Sequence, residues 1–442
     1  MPSSHKLLFA RHVEDRLAST RALLGELGYD SLLIHSGRAE FRLFDDQAPP
    51  FRAHAAFASW LPLPFAEDCL LEIRVADRPR LWFLQPRDYW HLPPSPPADW
   101  WQDAFDIELV EEREQWAECF DRSRALAVIG RRRDLAEQLG GAELNPSALI
   151  AGMAEARTVK TGWERECMAR ANDIAARAHL AAADVFESGG SELEIHLAYL
   201  AAAGQDQDQL PYNSIVALNE HASVLHYQHR SARRPSSARS FLIDAGADFC
   251  GYAADVTRTW TMPENRDFDD LLDAMERVQQ GLCKQITAGI SFVDLHRQAH
   301  LDIAAVLEQA ELVRMSPEEM VESGVSSYFF PHGLGHFIGA QVHDVAGKVD
   351  SDGQPLPPPE RYPFLRLTRR LEPGNVLTVE PGLYFIPILL EQLKASAFAD
   401  RVNWSQVEGL VPLGGIRIED NVLVTEAEPV NFTRQSFNRI QD

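Results

Sequence analysis

The sequence predicts an α+β fold in two domains, and three observations support this prediction. The chain has 442 residues, which is enough for roughly two or three domains with sizeable buried cores. Predicted helices and short apolar strands follow one another without the regular alternation of a parallel βαβ array. A long alanine-rich helix begins just after a boundary that we place near residues 155–162. We therefore expect a smaller mixed α/β domain at residues 1–157 and a larger domain at residues 158–442.

The first domain is expected to combine helices with strands. Its apolar patterns indicate, in order, a helix at residues 12–27, a strand at 31–35, a strand pair at 70–75 and 81–84, a strand at 125–130 and a helix at 134–139. Gly28 is a helix stop. The proline-rich stretch at residues 91–97 is predicted to be a loop, because successive prolines supply no donors to a strand ladder.

The second domain is expected to open on a helix at residues 163–186, with Thr161 as its cap and Gly189-Gly190 as its stop. Further patterns predict helices at residues 191–204, 268–288 and 292–309, and strands at 241–244, 376–380 and 416–425.

Composition argues against several classes of protein. Acidic residues outnumber basic ones by 65 to 42, for a net charge of −23, so we expect no binding to nucleic acid or to anionic membranes. The N-terminus has no signal-peptide core, and no stretch is long and apolar enough to span a membrane. The five cysteines contain no C-x-x-C pair and fit a reducing compartment, so a cytoplasmic location is expected; they are Cys69, Cys119, Cys167, Cys250 and Cys283.

Two aspartates mark the first candidate site. An apolar strand ends in Asp244, the chain turns near residues 248–251, and a second strand brings up Asp255. Either aspartate alone would be an ordinary turn residue. A pair among apolar neighbours is different, because a desolvated carboxylate needs a cation or another partner. The pair therefore predicts a metal site.

Three histidines and two glutamates extend this set. His332 and His336 enclose Gly-Leu-Gly, and His343 follows; the glycines allow the backbone to approach a ligand closely. Glu380 ends a predicted strand, and Glu419 alternates with apolar residues in another. Each glutamate alone would read as a solvent-facing strand residue, and a lone histidine as a core or surface residue.

The candidate ligands are Asp244, Asp255, His336, Glu380 and Glu419. Carboxylates with one imidazole suit Mn²⁺, Co²⁺ or Zn²⁺, and no thiolate is present to favour zinc. Four carboxylates carry more charge than one divalent ion balances, so two ions that share bridging carboxylates are expected. Such a pair activates water for hydrolysis.

At this point the chain resembles the pita-bread metallopeptidases and, among them, the bacterial prolidases, which cleave Xaa-Pro dipeptides. The resemblance covers nearly the whole chain. The N-terminal strings Ser31-Leu-Leu-Ile-His-Ser-Gly37 and Asp45-Asp-Gln resemble the prolidase N-terminal domain. The strings that carry the catalytic resemblance are Asp244-Ala-Gly-Ala, Asp255-Val-Thr-Arg-Thr, His332-Gly-Leu-Gly-His336, Val379-Glu-Pro-Gly382 and Gly415-Ile-Arg-Ile-Glu-Asp420.

The resemblance implies a pita-bread catalytic domain that binds two divalent ions, with Mn²⁺ the first choice. One ion would be bound by Asp244, Asp255 and Glu419, and the other by Asp255, His336, Glu380 and Glu419. Asp255 and Glu419 would bridge the two ions, whose bridging hydroxide would attack the peptide with Glu380 as the proton shuttle. The resemblance further implies that three histidines surround the substrate and stabilise the oxyanion: His226, His332 and His343.

Substrate recognition follows from the same resemblance. Arg366 matches the prolidase arginine that faces the carboxylate of the dipeptide, and Arg369 and Arg370 compete for that role. Arg417, beside the ligands, is a second candidate, and an arginine fork suits a carboxylate. Tyr212 matches a substrate-pocket residue. Asp45 corresponds to a loop residue that reaches the neighbouring subunit's site in similar enzymes, which implies a homodimer.

Some alternatives stay open. Aminopeptidase P shares the five ligands but accepts longer peptides, and a non-catalytic binding protein on the same fold is a third reading. Phe292 stands where some relatives carry tyrosine, which predicts a more apolar leaving-group pocket. Residues 348–360 form either a lid or a simple insertion. A side activity on organophosphate triesters is also expected.

Overall fold

The computed structural model describes residues 3–97, 99–113, 116, 125–140 and 142–441. The chain divides into two compact units: Met1–Cys167 together with Cys250–Tyr252, and Met168–Phe249 together with Ala253–Asp442. Both units combine helices and strands without a regular βαβ alternation, and the predicted α+β class is confirmed. This division falls inside a long helix, after the expected boundary at residue 157, and that boundary stays a prediction.

A six-stranded mixed sheet organises the N-terminal unit, with strand order β4-β3-β2-β1-β5-β6. Strands β1 and β2 are antiparallel, whereas β5 runs parallel to β1 on its other side. The strands are β1 (Ser31–His35), β2 (Leu70–Arg74), β3 (Arg80–Leu84), β4 (Asp106–Val110), β5 (Leu126–Ile129) and β6 (Glu143–Leu144). The helices are α1 (Ser3–Leu27), α2 (Ala55–Ala58), α3 (Arg133–Gln138) and α4 (Ser147–Ala156).

Strands β1, β2, β3 and β5 agree with the sequence prediction, whereas β4 and β6 were not predicted. Residues 91–97 contain no helix or strand, as expected for the proline-rich loop. Helix α1 begins earlier than predicted. The side chains of Phe9, Val13 and Leu24 are buried at helical spacing, so Phe9, which precedes residue 12, belongs to the same buried face. The helix ends at Gly28, whose φ of 78° is in the left-handed region.

Helices of the C-terminal unit pack around a large apolar core. Helix α5 (Gly162–Glu187) begins at Thr161, whose hydroxyl accepts a hydrogen bond from the Glu164 N–H. Helix α6 (Glu192–Ala203) has a complete capping box at Ser191. The other helices are α7 (Arg266–Lys284), α8 (Phe292–Gln309), α9 (Pro317–Ser323), α10 (Pro387–Lys394), α11 (Trp404–Leu410) and α12 (Phe432–Gln441).

Short antiparallel strands of this unit bring distant segments together. One sheet has the order β11-β8-β7, a second β12-β15-β16, and β13 pairs with β14. The strands are β7 (Ile215–Leu218), β8 (Ser240–Asp244), β9 (Asp248–Phe249), β10 (Tyr252–Ala253), β11 (Thr257–Thr261), β12 (Val376–Val379), β13 (Gly382–Tyr384), β14 (Gly415–Arg417), β15 (Asp420–Leu423) and β16 (Val430–Asn431).

The prediction of one continuous strand at residues 416–425 was wrong. Two strands occupy the segment: β14 pairs with β13, and β15 pairs with β12. Ile418 and Glu419 lie between them, where Glu419 forms an isolated bridge with Thr257. Both pairings share one antiparallel register, and the ladder is interrupted because Pro381 has no N–H to donate and the Glu419 N–H donates to the Thr257 carbonyl instead.

Two further expectations concern the chain as a whole. Cys69, Cys250 and Cys283 are free thiols, whereas Cys119 lies outside the described residues. Within the described part of the chain, no helix is long and apolar enough to cross a membrane.

Candidate active site

One cavity of about 790 Å³ in the C-terminal unit brings most of the candidate residues together. Apolar side chains such as Leu225, Ile388 and Leu389 form much of the remaining wall. The candidate residues that line the cavity are Asp244, Asp255, His336, Glu380, Glu419, His226, His332, His343, Arg366 and Arg417. The fold thus brings together residues that lie up to more than 190 positions apart in the sequence.

Strand pairing places the two aspartates. Asp244 ends β8 and is opposite Thr257 of β11. Asp255 lies just before β11, and the Asn421 side chain holds its backbone: the amide oxygen accepts from the Asp255 N–H at 3.0 Å, and the amide nitrogen donates to the Asp255 carbonyl. Asp255 is therefore held from the strand that follows Glu419.

His336 and Glu380 meet because residues 334–338 run alongside β12. The Thr378 N–H donates to the His336 carbonyl at 2.9 Å, and the Glu380 N–H donates to the Leu334 carbonyl at 2.8 Å. Glycine is required at position 335, because a Cβ there would overlap the Thr378 carbonyl oxygen. This explains the glycine directly before His336.

Glu419 is held by Thr257. The Glu419 N–H donates to the Thr257 carbonyl at 3.0 Å, and the Thr257 hydroxyl donates to Glu419 Oε2 at 2.8 Å. The neighbouring Asp420 is fully buried between Arg258 and Arg434, at 2.6 and 2.8 Å. These ion pairs compensate its charge and secure the backbone beside Glu419.

The ligand set fits divalent metal ions. Ligand atoms of Asp255, His336 and Glu419 all lie within 4.8 Å of one another, and His336 Nε2 is 3.9 Å from Glu380 Oε1. Arg417 pairs with Asp244 at 2.7 Å and so compensates one of the four carboxylates. Hard oxygen donors with one imidazole in a pocket of excess negative charge suit divalent cations.

The pKa values of these carboxyl groups are shifted by the same excess of negative charge. Burial, reinforced by neighbouring carboxylates, raises the pKa of Asp244, raises that of Glu380 to about 7, and raises that of Glu419 well above its ordinary value. Burial also opposes the ionisation of Asp255, but His336 and Tyr212 hold the pKa of Asp255 below its usual range. A cation at this position would relieve the repulsion.

Arg417 and Tyr384 connect Asp244 to His332. Arg417 donates to the Tyr384 hydroxyl at 2.9 Å, so that hydroxyl is free to donate to His332 Nε2 at 2.8 Å. The other ring nitrogen of His332 then donates to the Gly333 carbonyl at 2.9 Å. Burial and the nearby Arg417 lower the pKa of His332 to about 3, which keeps the ring neutral.

Sequence reasoning missed Tyr384. Its signal was present in the two-residue period of a strand, since Glu380, Gly382 and Tyr384 alternate along the same segment. An apolar run with a single tyrosine reads as core, and only the contacts with Arg417 and His332 show the role of its hydroxyl.

The remaining candidates occupy different positions. The His343 ring packs edge-on against His336, with centroids 4.4 Å apart, and burial lowers the pKa of His343 to about 4. Arg366 is exposed at the cavity wall. Arg369 is buried and contacts Glu372, while Arg370 donates to the Gly289 carbonyl.

The structure also places Tyr212, Asp45 and Phe292. Tyr212 contacts the ligands directly: its hydroxyl lies 2.8 Å from Asp244 Oδ1 and 2.6 Å from Asp255 Oδ1. Asp45 is exposed on a loop of the N-terminal unit. Phe292 is fully buried in the core rather than at the cavity, so the expected effect on a leaving-group pocket was wrong. Among the described residues, none of 348–360 lines this cavity.

Comparison with known proteins identifies relatives along the whole chain. Metallopeptidase family M24 matches residues 166–426, and the Xaa-Pro dipeptidase N-terminal domain matches residues 7–154. An Xaa-Pro dipeptidase of Aeromonas hydrophila is 44% identical over 438 residues, which are 98% of this chain and 99% of that protein. One from Pseudoalteromonas atlantica is 42% identical over 433 residues, which are 97% and 98% of the two chains.

Solved structures give the same fold. Aminopeptidase P from Escherichia coli with the inhibitor Pro-Leu has a TM-score of 0.74 at 21% identity, covering 96% of this chain and 95% of that one. The zinc-substituted form of the same enzyme in complex with product has a TM-score of 0.70 at 21% identity and the same coverage. With the family match, this likeness confirms the predicted pita-bread fold.

Proposed function

Since the chain belongs to metallopeptidase family M24 and to its Xaa-Pro dipeptidase branch, we propose that it hydrolyses Xaa-Pro dipeptides with two divalent metal ions, Mn²⁺ being the first choice. The observation that carries this proposal is the convergence of four carboxylates and one imidazole on a single cavity. Asp244, Asp255 and Glu419 would hold one ion; Asp255, His336, Glu380 and Glu419 would hold the other.

When bound, the ions would activate a water molecule and polarise the scissile carbonyl. Glu380 would accept the proton that the water loses and deliver it to the proline nitrogen as the bond breaks. His226 and His343 would donate hydrogen bonds to the oxyanion that develops. His332, with both ring nitrogens engaged, would shape the wall and hold Tyr384 and Arg417 in place.

Arg366 is the proposed partner of the substrate carboxylate. It is an exposed arginine at the cavity wall, whereas Arg417 is already paired with Asp244 and Tyr384. A cation at this place favours a dipeptide, whose C-terminus carries a charge directly after proline. Tyr212 would support the site through Asp244 and Asp255, because its hydroxyl contacts both.

The nearest alternative is aminopeptidase P activity, in which the peptide continues past proline. Comparing Ala-Pro with Ala-Pro-Ala separates the two. We expect faster cleavage of the dipeptide, and preference for the tripeptide would refute the assignment to a dipeptidase.

Metal content tests the catalytic proposal as a whole. Elemental analysis of the purified chain, combined with Ala-Pro hydrolysis after addition of Mn²⁺, Co²⁺ or Zn²⁺, should give two ions per chain and metal-dependent turnover. A chain that binds no metal, or that is inert toward every Xaa-Pro peptide with Mn²⁺ added, would instead be a binding protein on this fold.

A secondary activity on phosphotriesters is part of the proposal. The apolar wall formed by Leu225, Ile388 and Leu389 suits neutral, bulky esters. Paraoxon hydrolysis that requires the same metals would support this activity. An active peptidase preparation without paraoxon turnover would contradict it.

We also propose a cytoplasmic homodimer in which Asp45 of each chain approaches the site of the other. Asp45 lies on a loop whose apolar neighbours Leu43 and Phe44 are exposed, as expected for a surface that another chain covers. Light scattering should give twice the mass of one chain. A monomer with full activity would contradict the role of Asp45.

A further inference from the structure

One buried carboxylate outside the cavity holds the segment that carries His226. Glu192 is the first residue of α6, and its side chain is only 2% exposed. It accepts four hydrogen bonds: from the Leu218 N–H at 3.1 Å, His221 Nδ1 at 2.7 Å, the Tyr227 hydroxyl at 2.9 Å and the Ser231 N–H at 2.9 Å. All four donors belong to residues 218–231.

These contacts fix both ends of that segment. Leu218 is the last residue of β7, and Ser231 is fixed twice, since its carbonyl also accepts from the Leu193 N–H at 3.1 Å. Between these ends, residues 223–226 form part of the cavity wall. Glu192 therefore closes a loop whose middle faces the site.

Tyr227, the residue directly after His226, is one of the residues that Glu192 holds. It is buried, and its ring stacks on His221 with centroids 4.6 Å apart. His226 makes no side-chain hydrogen bond with any described residue, so the position of its imidazole depends on its backbone together with its own side-chain torsions. The anchor at Tyr227 acts one peptide bond away.

We propose that Glu192 is a positioning residue for hydrolysis, which acts by holding His226 toward the scissile bond. This inference rests on the proposed function. Both carboxylate oxygens of Glu192 are needed to accept these four hydrogen bonds. Oε1 accepts from Leu218 and His221, and Oε2 accepts from Tyr227 and Ser231. A glutamine has only one such oxygen, and its NH₂ group would face two donors.

The experiment combines Glu192→Gln with His226→Ala in full-length, metal-loaded protein. Glu192→Gln alone should lower kcat for Ala-Pro about 10- to 100-fold, the scale of a misplaced catalytic group, with unchanged metal content. In the His226→Ala background, Glu192→Gln should cause no further loss. Glu194→Gln is the matched control: this carboxylate is on the same helical turn but pairs with Arg234 at the surface, and kcat should not change.

Each outcome decides the proposal. Equal fold losses in both backgrounds, or wild-type activity of Glu192→Gln, would overturn it while leaving the dipeptidase assignment intact. A wild-type chain that does not cleave Ala-Pro would refute the proposed function and this inference with it. If Glu192→Gln does not fold, Tyr227→Phe removes only one of the four donors and should show the same dependence on His226; an additive loss would again overturn the proposal.

Discussion

Replacing Glu380 with glutamine should stabilise the metal-free protein while abolishing hydrolysis. The Glu380 carboxylate lies in a cavity with three other carboxylates, and its two imidazole neighbours, His332 and His336, are both 3.9 Å away. These distances are too long for hydrogen bonds, so glutamine loses none. What it removes is a charge that is costly to bury.

The magnitude follows from the ionisation of Glu380. Burial, with Asp255 and Asp244 adding to it, raises its pKa from 4.5 to about 7. The folded chain therefore holds a proton that the unfolded chain loses between those pH values, and stability falls as pH rises through this range. This shift of the Glu380 pKa corresponds to a loss of about 3 kcal/mol in the free energy of unfolding at pH 8. This is an upper value, because 19% of the side chain remains exposed.

The assay is urea unfolding of chelator-treated protein at pH 5, 6, 7 and 8. The advantage of Glu380→Gln over wild type should grow from about 1 kcal/mol at pH 5, just above the ordinary pKa of 4.5, to about 3 kcal/mol at pH 8, and Mn²⁺ should stabilise only the wild type strongly. Glu391→Gln, an exposed substitution on α10, should show no such trend. A Glu380→Gln variant less stable than wild type at pH 8 would refute the reasoning.

Three further substitutions test the remaining assignments. Asp255→Asn should empty both metal positions and abolish Ala-Pro hydrolysis; two bound ions with full activity would contradict its bridging role. His226→Ala should retain its metals by elemental analysis and lose about 10²-fold in kcat, as for an oxyanion donor; wild-type turnover would exclude it from catalysis. Arg366→Leu should raise the KM for Ala-Pro about 10- to 100-fold, since a charge-assisted hydrogen bond contributes about 1.5–3 kcal/mol; the same loss with Ala-Pro amide would contradict carboxylate recognition.

The candidate site was more predictable from sequence than its supports. Asp244, Asp255 and His336 stand out because carboxylates and imidazoles among glycines and apolar residues are costly unless they bind something. Their capacity to bind a metal depends on the type of side chain, which can be read directly from the sequence. Several strands, such as β1, β3 and β8, could also be predicted, since buried apolar runs bounded by turn residues leave a local pattern.

The residues that contact and hold these side chains could not be predicted from the sequence in the same way. The sequence made Arg417 a second candidate for the substrate carboxylate, whereas its contacts with Asp244 and Tyr384 favour a role in holding the candidate ligands. Phe292 looked like a pocket residue until burial placed it in the core. Both depend on contacts between residues far apart in the chain, and no local pattern encodes such contacts.

The sequence by itself predicted the class of fold, a candidate set of metal ligands and the kind of chemistry, because these predictions follow from local periodicity and from the properties of single side chains. Only the tertiary structure decided that residues 416–425 break at Glu419, that Tyr384 links Arg417 to His332, and that Glu192 holds the segment of His226. The physical reason is that hydrogen bonds and strand pairing across more than 30 residues depend on how the whole chain packs.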